Sequence, residues 1–105
     1  MVSLVIVSHS EKLAQGVAEL ACQMAKDTPI AVAGGMPDGS FGTCFERVYR
    51  AIQSVYSEDG VLVLVDMGSA VMTAQMAMEQ HGGNIRIVDS PLVEGAVLAA
   101  IQASI

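Results

Sequence analysis

Residues 61–65 read Val-Leu-Val-Leu-Val and run directly into Asp66-Met67-Gly68-Ser69. A run this short and apolar on both faces reads as a strand buried between two layers, because a strand with one wet face would alternate apolar with polar. Similar runs flank it at residues 2–7 (Val-Ser-Leu-Val-Ile-Val), 29–33 (Pro-Ile-Ala-Val-Ala) and 84–88 (Asn-Ile-Arg-Ile-Val). Between these strands the apolar residues change to helical spacing. Leu13, Val17, Leu20, Ala21 and Met24 predict a first helix over about 10–26, and Phe45, Val48, Ile52 and Val55 trace a second. Thr43 and Glu46 stand at the spacing of a capping box at the start of that second helix. The Met-rich stretch 70–80 predicts a third helix, with Gly82-Gly83 as its C-cap. Ser90 is placed to cap a fourth, with Pro91 at its first position, and this helix runs to the end of the chain.

Four strand–helix units in 105 residues predict one α/β domain over residues 1–105. Its sheet is open and mainly parallel, with about four strands and helices on both faces. The Val-Leu-Val-Leu-Val strand is expected at its centre. Hydrophobic residues make up 52% of the chain and charged ones 15%, with no Trp, so Val, Ile, Leu, Ala and Met must build the core.

The formal charge of −6 carries only five scattered Lys and Arg, which argues against nucleic acid as a partner. No apolar run is long enough to span a bilayer, and no signal peptide is read at the first strand. Cys22 and Cys44 lack C-x-x-C spacing and read as two buried thiols in a reducing compartment, so a cytoplasmic location is expected.

In an open α/β sheet, chemistry sits beyond the carboxyl ends of the strands. Four loops converge there: Ser8-His9-Ser10, the Gly-rich segment 34–42, Asp66-Met67-Gly68-Ser69 and Asp89-Ser90-Pro91. His9 falls where a strand surfaces at a helix N-terminus, whose free amides favour an anion such as phosphate. A nucleophilic imidazole needs one bare nitrogen and an acceptor that holds the proton on the other. Asp66, at the end of the neighbouring strand, is placed to be that acceptor. Ser69, with the Gly68 and Ser69 amides, is placed to hydrogen-bond phosphoryl oxygens.

Plainer roles are open to the same residues. Ser8 and Glu11 also stand at capping-box spacing, which would make His9 an ordinary first-turn residue. Asp66 and Ser69 could cap the third helix, and Asp89 and Ser90 the fourth. His81 suits a helix C-terminus, Glu94 an exposed helix face, and the methionines from Met67 to Met78 a core-filling role. Nucleotide-binding loops, the nucleophile elbow of α/β-hydrolases and metal-ligand spacing are all absent from the sequence.

Leu4-Val5-Ile6-Val7-Ser8-His9-Ser10, Val65-Asp66-Met67-Gly68-Ser69-Ala70 and Pro91-Leu92-Val93-Glu94-Gly95 together resemble one family. This is the DhaM family, the phosphohistidine subunits of phosphoenolpyruvate-dependent dihydroxyacetone kinases, related to mannose-type enzyme IIA domains. The resemblance covers essentially the whole chain. It implies a phosphotransferase subunit in which His9 receives phosphate from HPr, ultimately from phosphoenolpyruvate through enzyme I. The phosphoryl group would sit on Nε2 of His9, with Asp66 accepting from Nδ1 and Gly68, Ser69 and Ser10 binding the phosphate. The resemblance further implies transfer to ADP held on a DhaL subunit, while a DhaK subunit binds dihydroxyacetone. No cofactor or metal is then expected on this chain; ADP or ATP and Mg²⁺ would belong to the partner.

Members of the wider enzyme IIA family commonly form dimers, so a homodimer is expected. Some relatives carry fused HPr and enzyme I segments; these 105 residues hold neither, so a separate HPr is expected. The chain stops inside its fourth helix, earlier than expected for such domains, which points to a missing terminal element. The alternative within the same chemistry is a mannose-type enzyme IIA serving a sugar transporter. Against it stand Met67-Gly68-Ser69-Ala70 in place of a longer Gly-Gly-Ser-Pro loop, and Ser10 in place of Gly after His9. Outside that chemistry, His9 would be structural and the Met-rich helix an interaction surface.

Overall fold

A computed structural model describes all 105 residues. The chain alternates strand and helix throughout: β1 (Ser3–Ser8), α1 (Glu11–Met24), β2 (Ile30–Gly34), α2 (Phe45–Val55), β3 (Val61–Val65), α3 (Gly68–His81), β4 (Ile85–Val88) and α4 (Leu92–Ala103). The strands form one parallel sheet in the order β2-β1-β3-β4. β3 is thus internal beside β1, as its two apolar faces require, and every β1 residue is buried.

Alternation along the two inner strands divides the core by face. Val5, Val7, Val61 and Val63 point toward α2 and α3, where Val48, Ile52, Ala70, Ala74 and Ala77 meet them. Leu4, Ile6 and Leu64 point the other way, against Ala14, Val17 and Ala21 of α1 and Ala96 and Ala100 of α4. Alanine dominates the buried helix faces because it lets helix axes lie close to the sheet and to each other.

That economy corrects several expectations. Leu13, Leu20 and Met24, read as part of a buried stripe on the first helix, are exposed. So are Met67, Met72 and Met76; only Met78 of this methionine group packs against the core, and no methionine is fully buried. Cys22 is exposed and Cys44 partly so, in place of two buried thiols.

Helix ends also differ from their predicted chemistry. Residue 44 is the N-cap of α2 and makes no side-chain cap bond, while the Thr43 hydroxyl pairs with that of Thr73 at 2.9 Å. Pro91 is the N-cap of α4 rather than its first helical residue, and Ser90 does not cap it. The Ser90 hydroxyl instead occupies the space that a side chain at residue 95 would need, which explains glycine there. Gly82 does terminate α3, at φ 73°, with its amide bonded to the Met78 carbonyl. No helix is long and apolar enough to cross a membrane.

Candidate active site

The register of β1 with β3 builds the site. Val7 pairs with Val65, so the next residues, Ser8 and Asp66, leave the sheet side by side. The Asp66 amide donates to the Val7 carbonyl at 3.2 Å, continuing the ladder one step beyond the strand. His9 follows, and its amide turns onto Asp66 Oδ2 at 3.0 Å. Its ring closes on the same carboxylate, with Nδ1 3.0 Å from Oδ1.

Asp66 is well shielded, its side chain only 11% exposed. Burial alone would push its carboxyl up. The bonds from the His9 amide, the His9 ring and the Ser8 hydroxyl outweigh burial and hold it below the ordinary aspartate value of 3.8. Asp66 is therefore a carboxylate, which can only accept, and the proton between it and the ring belongs to Nδ1. Nε2 is left bare. The Ser69 hydroxyl lies 2.9 Å from Nε2 and donates to it.

The sequence-predicted residues are thus brought together, with two plainer readings set aside. Asp66 does not cap α3, whose N-cap is Met67 with no side-chain bond. Ser8 and Glu11 form no capping box: Glu11 reaches Gln15 and Arg47 instead. Ser10 is the N-cap of α1 and accepts from the Leu13 amide at 3.2 Å, so its hydroxyl is engaged in holding the helix start. Gly68 and Ser69 form the exposed first turn of α3, uncapped by any side chain, with open space over Gly68. That turn offers backbone amides beside Nε2, the arrangement that receives anions at helix N-termini. Asp89, Ser90 and Glu94 make no polar contact with His9 or Asp66. His81 lies at the far end of α3, its Nδ1 2.7 Å from the Gly82 carbonyl and its ring against Tyr49 and Tyr56.

Two contributors lie in loops expected to converge here but carry no expected role in the site. Ser8, fully buried, donates its hydroxyl to Asp66 Oδ2 at 2.9 Å and accepts from the Ser10 amide at 3.0 Å. A polar residue directly after the buried apolar run Leu4–Val7 was the available signal. The Gly-rich loop supplies the second. The Gly42 amide donates to the His9 carbonyl at 2.9 Å, and the Gly35 amide to the Ser8 carbonyl at 3.1 Å. Gly35 has φ 68°, a left-handed backbone that glycine adopts freely. The loop is closed on itself by Asp38, whose carboxylate accepts from the Ser40 hydroxyl at 2.6 Å and the Ser40 amide at 2.9 Å. These bonds lower the Asp38 carboxyl.

A ring with a fixed proton on one nitrogen, a lone pair on the other, and helix-terminal amides alongside has the chemistry to act as a nucleophile toward an anion. No three His, Cys, Asp or Glu side chains come together in the fold.

The chain matches the family model EIIA-man, described as PTS system fructose IIA component, over residues 3–105. It is 44% identical to the PEP-dependent dihydroxyacetone kinase phosphoryl donor subunit DhaM of Escherichia coli (strain K12), with 99% of this chain and 24% of that protein covered. The chain therefore spans about a quarter of the length of that relative. A second DhaM, of dihydroxyacetone kinase 2 from Listeria innocua, is 36% identical, with 97% of this chain and 86% of the relative covered. Among solved structures, that of the unknown function protein EF1359 superposes with a TM-score of 0.84 at 31% identity, covering 97% of this chain and 82% of the other.

Proposed function

The chain belongs to the EIIA-man family of PTS fructose IIA components, alongside DhaM phosphoryl donor subunits, and from that premise we propose that it is a phosphocarrier acting through His9. The observation that carries the reading is the pairing of Asp66 with Nδ1 of His9, which leaves Nε2 as the nucleophile. In the forward step Nε2 attacks the phosphorus of a phosphorylated donor protein. The new N–P bond forms as the donor's bond to phosphorus breaks, and the proton stays on Nδ1, donated to Asp66. Charge on the equatorial oxygens is met by the Gly68 and Ser69 amides and, once it turns from Nε2, the Ser69 hydroxyl.

The donor in this proposal is HPr, and the acceptor is ADP held on DhaL, which with DhaK phosphorylates dihydroxyacetone. In this proposal the divalent cation used for transfer to nucleotide is held with the nucleotide on that partner, and this chain supplies His9, Asp66 and Ser69. Incubation with phosphoenolpyruvate, enzyme I and HPr should add one acid-labile phosphate per chain, and His9→Ala should add none. Undiminished labelling of His9→Ala would refute the assignment.

The family description, a fructose IIA component, favours one second reading: the same phosphohistidine feeding a sugar transporter. Presenting the phosphorylated chain with DhaL-bound ADP and with a transporter IIB domain separates the two by which acceptor takes the label.

A further inference from the structure

Ser8 ends the buried strand β1 with a hydroxyl directly after the apolar run Leu4–Val7, and its residue is 0% exposed. A buried hydroxyl persists only when both its donor and acceptor capacities are used well. Here Oγ accepts from the Ser10 amide at 3.0 Å, and the hydroxyl proton goes to Asp66 Oδ2 at 2.9 Å. Its neighbour on Oδ2 is the His9 amide at 3.0 Å, while Oδ1 is left to the imidazole. Two fixed donors on one oxygen leave the carboxylate little freedom to rotate, so the other oxygen stays in the plane of the ring N–H. Asp66 cannot set the ring if nothing sets Asp66.

We propose that Ser8 is a positioning residue for phosphoryl transfer: its hydroxyl locks Asp66 in the orientation that keeps the His9 proton on Nδ1 and Nε2 bare. The inference rests on the phosphocarrier reading of His9. Ser8 touches neither phosphate nor partner, and it acts wholly through Asp66. The same hydroxyl also ties strand β1 to the start of α1 through Ser10, so a purely architectural role is the competing account. The two accounts differ in what they do to the ring. Without the Ser8 donor, Oδ2 keeps only the His9 amide, and the carboxylate is free to turn away from the Nδ1 proton. The ring proton should then divide between Nδ1 and Nε2, which a purely architectural defect would not produce.

The test measures the initial rate of His9 phosphorylation by phospho-HPr at neutral pH, together with ¹⁵N shifts of the His9 ring, in Ser8→Ala, Ser8→Cys and Ser8→Thr. Cysteine keeps the shape of serine but donates weakly, and threonine keeps the hydroxyl. The expected result is a roughly tenfold slower rate at neutral pH in the folded Ala and Cys variants, the scale of one hydrogen bond to a charged group. Their ring nitrogens should report a mixture of tautomers. Threonine should restore the wild-type rate and nitrogen shifts. Folded Ala or Cys variants with wild-type nitrogen shifts would overturn the proposal, whatever their melting temperature. Labelling of His9→Ala in the same assay would instead overturn the phosphocarrier reading itself.

Discussion

Asp66 Oδ1 lies 3.0 Å from Nδ1 of His9, and this contact decides which ring nitrogen is free. Replacing Asp66 with Asn keeps the shape but lets the amide NH₂ face the ring, where it donates to Nδ1 and drives the proton to Nε2. The variant should fold, yet its phosphorylation by phospho-HPr should fall by between about 10² and 10⁴. Transfer within threefold of wild type would show that Asp66 has no part in setting the tautomer.

The same carboxylate links stability to pH. Its folded value lies below the ordinary 3.8, because the His9 and Ser8 donors overcome the opposing effect of burial. A group with a depressed folded pKa adds stability that is complete above the unfolded value and is lost as pH falls through the folded one. Urea unfolding between pH 6 and pH 2 should therefore show a steeper acid loss in the wild type than in Asp66→Asn. Parallel curves for the two proteins would contradict the environment assigned to Asp66.

Gly34 is needed for a reason other than backbone freedom. A Cβ built there would lie 2.7 Å from the Glu11 Cα, 2.8 Å from the Ser10 carbonyl oxygen and 2.9 Å from the Ala14 Cβ. Two of those three atoms are backbone, so β2 and the start of α1 would have to part. Arg47 further fixes this crossing by donating to the Gly34 carbonyl at 2.8 Å. Gly34→Ala should cost about 1–3 kcal/mol in denaturant unfolding, the range for overpacking. It should also slow His9 phosphorylation, since Ser10 and His9 share the displaced turn. Gly16→Ala, where nothing lies within 4 Å, is the control and should not be destabilising.

The strand pattern carried most of the fold because burial on both faces leaves an unambiguous apolar run, as in Val61–Val65. The juxtaposition of His9 with Asp66 was legible for the same reason: parallel strands in register end on one line, so their following residues meet. Helix faces were less legible. On α1 the interior took Ala14, Val17 and Ala21, because close packing on the sheet and α4 favours small side chains. The larger Leu13, Leu20 and Met24 were left outside, although they share the helical period. Capping motifs misled because a hydroxyl goes to whichever partner tertiary structure brings near. Ser8 found Asp66, and Thr43 found Thr73.

That last pair is open to direct measurement. If Thr43 capped α2, its removal would cost the same whether or not Thr73 were present. Because the two hydroxyls bond to each other at 2.9 Å, their effects should be coupled. Thr43→Val and Thr73→Val should each cost about 1 kcal/mol, and the double variant little more than either single one. Strict additivity in a double-mutant cycle would restore the capping role.

Ser69 presents the opposite problem, a contact that must break for the chemistry to proceed. Its hydroxyl lies 2.9 Å from Nε2 and occupies the lone pair that, in the proposed mechanism, attacks phosphorus. In the resting protein this bond stabilises the reactant, so losing it alone would speed attack. As the N–P bond forms, Nε2 no longer accepts, and the hydroxyl is free to turn to a phosphoryl oxygen a bond length or two away. A donor aimed at developing charge is worth about 10²–10³ in rate where it acts alone. At this site the Gly68 and Ser69 amides remain, and the loss of the resting bond offsets part of the penalty. Ser69→Ala should therefore slow phosphorylation by only about tenfold, far less than Asp66→Asn. It should also make phosphorylated His9 hydrolyse faster at neutral pH, because the hydroxyl no longer holds the phosphoryl group. A Ser69→Ala protein that is phosphorylated faster than wild type would assign the hydroxyl to the resting state alone.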